Sequence, residues 1–149
     1  MRALFTIFLI ISFSTNFAQK KYDVILNLVE ANQKQYSEIA QKIWSYAEVG
    51  YQENQSSTLL QKTLIDQDFS VRAGVADIPT AFVASYGSGN PVIAILGEYD
   101  ALPGLSQQAG PFKLSNNAKA GHACGHHLFG TASAAASIAL KNSLKNEKI

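Results

Sequence analysis

The chain has little of three things: cysteine, charge and long apolar runs. One cysteine in 149 residues forbids an internal disulfide, so no stapled scaffold is available. Charged residues make up 15% and the formal net charge is +1, which leaves no basic stripe for nucleic acid and no acidic tail. No apolar run reaches the roughly twenty residues that span a bilayer as a helix. The longest, Leu4 to Phe13, follows Arg2 and is followed by Ala18, which reads as a secretory signal peptide over 1–18. The competing reading is a membrane anchor, since Phe17 extends the run. Cleavage after Ala18 would leave 19–149 as one domain, secreted or periplasmic, with no stable membrane insertion. In an oxidising compartment a lone thiol is a liability unless something such as a metal ion protects it.

What the chain does have is concentrated. All three histidines and the only cysteine fall in Gly121-His122-Ala123-Cys124-Gly125-His126-His127, with Glu98 and Asp100 about twenty residues upstream. Thiolate and imidazole suit zinc and its neighbours, and Gly125 lets the backbone bend so that Cys124 and His126 reach one ion. A small buried cysteine with a capping histidine is the bland alternative. A thiol nucleophile activated by imidazole is a third, disfavoured because thiol hydrolases bring their histidine from elsewhere in the fold.

The remaining pattern predicts an α/β fold. Apolar positions from Ile25 to Ala47 recur at three- and four-residue steps, predicting one amphipathic helix from a cap at Asp23 to a stop at Gly50. A second helix is expected from about Ser56 to Gln67, burying Leu59, Leu60, Leu64 and Ile65, with Asn54 as cap. Between them Glu48 and Glu53 could do chemistry but read better as solvated turn residues. Phe69 to Arg72 and Thr80 to Tyr86 read as strands, the second joined by a hairpin turn at Gly87–Asn90 to a fully buried strand, Pro91 to Leu96. Glu98 and Asp100 then sit beyond the carboxyl end of a central strand, where binding sites assemble in α/β sheets; the alternative for Asp100 is a cap of the next turn. A long loop over 103–120 precedes an alanine-rich helix, Leu128 to Leu144, whose small face would approach the sheet.

Taken together, Gly97-Glu98-Tyr99-Asp100-Ala101-Leu102-Pro103, the Cys-Gly-His run and Gly130-Thr131-Ala132-Ser133 resemble the di-metal amidohydrolases of the aminoacylase and carboxypeptidase superfamily. The branch most resembled holds the p-aminobenzoyl-glutamate hydrolases and the indole-acetyl-amino-acid hydrolases, from about Ile43 to Leu140. The resemblance implies a zinc-exopeptidase-like mixed sheet flanked by helices, here an incomplete catalytic domain. It implies hydrolysis of amide bonds in N-acyl amino acids or dipeptide-like small molecules, with zinc or manganese as cofactor and homo-oligomers among full-length members. Cys124 and His126 would be metal ligands, Asp100 the carboxylate that orients the site, and Glu98 an assistant. His127 departs from the family's Asp or Asn. The family's general-base glutamate and further ligands follow the Cys-Gly-His motif at a distance, so an N-terminal portion is the expectation. A secreted, non-catalytic metal-binding or interaction domain derived from the same family is the rival.

Overall fold

The helical spacing after residue 22 folds as two helices rather than one. The computed structural model describes residues 23–106 and 108–147; the leader read at 1–18 lies outside them. Residues 23–30 form α1 and Gln33–Tyr46 form α2. Between them Asn32 leaves helical geometry (φ −111°, ψ 12°) and its side-chain amide donates to the Leu28 carbonyl at 2.9 Å, a local bond that competes with helix continuation. Four residues earlier than expected, α2 stops at Tyr46. Ala47 turns left-handed (φ 46°) and donates its N–H to the Ile43 carbonyl, so the alanine closes the helix in place of Gly50.

Helix α3, Asn54–Ile65, buries Leu60 and Leu64 as its spacing predicts, while Ile65 stays 54% exposed. Asn54 is its first residue rather than its cap. Strand β1, Ser70–Ala73, pairs antiparallel with β2, Phe82–Ser85, in the register Ser70↔Ser85 to Ala73↔Phe82. A 3-10 turn, Val75–Asp77, lies between them.

The expected hairpin across Gly87–Asn90 is therefore wrong, because β2 pairs back to β1. The buried strand Pro91 to Leu96 is also overturned: it carries no strand pairing, and Val92, Ile93 and Leu96 are 82%, 68% and 71% exposed. A strand apolar on both alternations needs neighbours on both sides, and among the described residues no strand pairs with it. Ser133 Oγ, donating to the Leu96 carbonyl at 2.6 Å, ties its end to the last helix.

Strands β3, Leu102–Pro103, and β4, Ala120–Gly121, pair antiparallel and close the long loop at its base. Helix α4, His126–Glu147, then runs across α2 and α3. Its small face, Ala134, Ala135, Ile138 and Ala139, is buried. Ala134 and Ile138 share a core with Ile39, Ile43, Leu60 and Leu64, so the alanines chiefly serve close helix–helix contact. At the other end Lys141, 4% exposed, donates to the Gln67 carbonyl and to Asp68 at 3.1 Å, and its ammonium lies 5.1 Å from the Tyr86 ring centroid. These contacts pin α4 to the turn between α3 and β1, because a buried ammonium must be paired. The result is a mixed α/β architecture of helices with two small antiparallel sheets, the incomplete domain the resemblance implies. No helix among the described residues is long and apolar enough to cross a membrane.

Candidate functional site

Residues 98–100 follow the alternation of an extended chain, in which i and i+2 share a face. Tyr99 points inward, stacks on Phe82 at 6.1 Å and donates its hydroxyl to the Thr80 carbonyl at 2.5 Å. Burial holds that hydroxyl above the usual phenol range, so it stays a donor. The same Thr80 carbonyl accepts from Ser57 Oγ at 2.6 Å, and Thr80 Oγ1 donates to Glu53 at 2.6 Å. Glu53 is 8% exposed; the expectation of a solvated turn residue fails because it is needed as an acceptor inside this network.

With Tyr99 anchored inward, Glu98 and Asp100 both reach His126, the first residue of α4. Asp100 Oδ1 lies 2.8 Å from Nδ1 and Glu98 Oε2 lies 3.0 Å from Nε2. An ionised Asp100 can only accept, so Nδ1 carries a proton and donates it. Nε2 faces a second carboxylate, that of Glu98, so both ring nitrogens lie against acidic side chains. The donor chemistry of this pair fits a divalent cation. A carboxylate on the far nitrogen of a ligating histidine fixes its tautomer and orientation.

The other members of the Cys-His run have surroundings of their own. Cys124 is free and exposed. Among the described residues no group of three or more His, Cys, Asp or Glu is arranged to hold an ion; the close contacts are those of Asp100 and Glu98 with His126. Gly125, with φ +83°, makes the turn between Cys124 and α4. The His122 and His127 rings pack against each other at a 54° tilt, centroids 4.9 Å apart. His122 Nε2 lies 3.1 Å from the Ile43 carbonyl and donates to it, which leaves its Nδ1 as a lone pair; that atom and Nδ1 of His127 are buried without partners among the described residues. Burial pushes both imidazoles below their ordinary value, and for His127 the neighbouring His122 adds to it.

That depression has a measurable sign. Above pH 6.5, the ordinary histidine value, both rings are neutral whether folded or unfolded. Below it the unfolded chain binds protons that the folded chain refuses, so stability falls with pH until the lowered folded values are passed. We expect the urea midpoint to drop between pH 7.5 and 5.5, and His122→Gln to flatten the drop. A midpoint independent of pH across that window would contradict the buried neutral pair.

Glu48, read from the sequence as a solvated turn residue, is instead an acceptor between two parts of the fold. Its carboxylate accepts from the Gln55 and Ser56 N–H groups at 2.9 and 2.8 Å and from Ser56 Oγ at 2.8 Å, while its carbonyl accepts the Ala101 N–H at 2.7 Å. Burial would raise this carboxyl, but the hydrogen bonds outweigh it and hold it below the ordinary carboxylate range. The signal available in sequence is slight: an acidic residue shortly before Ser56 near a helix start.

No family model matches the chain. It is 46% identical over 130 residues to a p-aminobenzoyl-glutamate hydrolase subunit of Escherichia coli (strain K12), a match covering 85% of this chain and 27% of that protein. The chain thus spans about a quarter of the length of the relative it matches. Over most of its own length the chain is therefore similar to that hydrolase subunit, and the similarity extends to only a fraction of that protein.

Proposed function

We propose that the chain carries the N-terminal part of the site of a metal-dependent hydrolase acting on amide bonds in N-acyl amino acids or dipeptide-like substrates of the p-aminobenzoyl-glutamate type. The observation that carries this reading is His126 held between Asp100 and Glu98, on the backbone of a chain nearly half identical to a protein of that name. His126 Nε2 and the Cys124 sulfur would hold the ion, zinc or manganese, with Glu98 assisting. When bound, such an ion polarises a scissile carbonyl and acidifies a bound water. Asp100, accepting from Nδ1 of His126, would fix the ring so that Nε2, beside Glu98, is the nitrogen left for the ion. Glu98, whose side chain is 48% exposed, leaves the pair open to a small molecule. Export to the periplasm or beyond, directed by residues 1–18, belongs to the same proposal, as does assembly with further subunits.

Titration calorimetry of the purified chain with zinc and with manganese tests it. We expect one ion per chain, and Asp100→Asn to weaken binding by about 10- to 100-fold, the usual cost of losing the carboxylate behind a ligating histidine. Hydrolysis of p-aminobenzoyl-glutamate, measured before and after chelation, separates an active site from a domain that only binds metal. Absence of metal binding overturns the proposal. Activity that survives chelators and is lost on alkylation of Cys124 would assign a thiol hydrolase instead.

A further inference from the structure

Asp100 has no covalent reason to stand at 2.8 Å from His126; something must hold residues 99–101 against the start of α4. Tyr99 is fixed on one side through Thr80. On the other side the next residue, Ala101, is 2% exposed, donates its N–H to the Glu48 carbonyl and forms an isolated parallel bridge with Val49. Glu48 lies between two left-handed non-glycine residues, Ala47 at φ 46° and Tyr51 at φ 66°, a conformation that persists only when its surroundings over-determine it. Here the surroundings do so. The Glu48 carboxylate takes two N–H groups and a hydroxyl from the first turn of α3, whose own cap residue Glu53 makes no side-chain cap bond.

From this geometry we propose that Glu48 is a positioning residue for the Asp100–His126 pair. Its carboxylate locks residues 47–51 onto the α3 N-terminus, and its carbonyl passes that fixed position through Ala101 to the neighbouring Asp100. The inference rests on reading Asp100 and His126 as parts of the proposed site, but its geometry is independent of any bound ion. Glu48 touches neither His126 nor a substrate position; it acts through Asp100.

The test is the imidazole Nδ1–H proton of His126, observed by NMR in the metal-free, nitrogen-15-labelled full chain. Asp100→Asn identifies the resonance. Glu48→Ala is expected to speed its exchange with water at least tenfold, whereas Glu48→Gln, which retains one acceptor oxygen, restores part of the protection. Thr63→Ala removes a buried hydroxyl elsewhere in α3 that bonds the Leu59 carbonyl. It lowers stability without changing the His126 exchange rate, so general loosening is told apart from positioning. A folded Glu48→Ala chain with wild-type exchange overturns the proposal. If that variant does not fold, wild-type exchange in Glu48→Gln overturns it equally. Because no metal is added, failure to bind zinc or manganese sinks the functional reading alone.

Discussion

Gly130→Ala is expected to destabilise the chain and dislodge the His126 pair, the reverse of what helix propensity alone predicts. In an unconstrained helix the change from glycine to alanine favours folding by about 1 kcal/mol. Here the added methyl would lie 2.7 Å from the Glu98 carbonyl oxygen, 3.2 Å from Tyr99 Cβ and 3.3 Å from Leu60 Cδ1. The first of these is backbone and cannot swing aside, so α4 must back away from residues 98–99. Overpacking of this kind costs about 1–3 kcal/mol or more, which outweighs the propensity gain. The urea midpoint should fall, and metal affinity should fall with it, because this close approach is what sets Glu98 and Asp100 against the first turn of α4. A variant as stable as wild type would show that α4 does not press on this segment.

The second large effect is expected at Ile43, which is 0% exposed at the centre of the helical core. Ile43→Ala should cost about 2–5 kcal/mol, the forfeited transfer energy plus that of the cavity left among Leu60, Ala134 and their neighbours. Domains of this kind are stable by only about 5–15 kcal/mol in all, so the change removes a large part of the total. Ile43→Val, at about 0.5–1.5 kcal/mol, calibrates the series by chemical denaturation. Equal midpoints for the two variants would mean that α2, α3 and α4 do not share one core. The site would feel this change as well, since the Ile43 carbonyl receives His122.

Much of the local structure is legible along the chain. The spacing of Ile39, Ile43, Leu60 and Leu64 marks the helix faces that are buried, and the alternation at 69–72 and 80–86 marks two strands. Pairing is not legible. Gly87-Ser88-Gly89-Asn90 is a strong turn signal, yet β2 joins β1, because hydrogen-bonded neighbours are chosen by which edges meet in three dimensions. The apolar run Pro91 to Leu96 shows the same limit: its composition calls for burial, and no strand among the described residues pairs with it. Glu48 and Glu53 escape a sequence reading for a related reason. An acidic residue in a turn is ordinarily solvated, and only the approach of α3 and Thr80 turns these two into acceptors within the fold.

The sequence by itself determined the helix-forming stretches, the position of the Cys-His run at the start of the last helix, and the likeness to a hydrolase subunit, because each depends on residues near one another in the chain or on identity summed along it. Tertiary structure alone decided which of the clustered ligand-type side chains meet. Carboxylates from an extended segment grip His126, while His122 and His127 pack against each other as a tilted pair and Cys124 is exposed. Side chains close together in sequence can diverge by about the width of a helix, whereas Asp100 and His126, 26 residues apart, converge when packing around Tyr99 and Gly130 requires it.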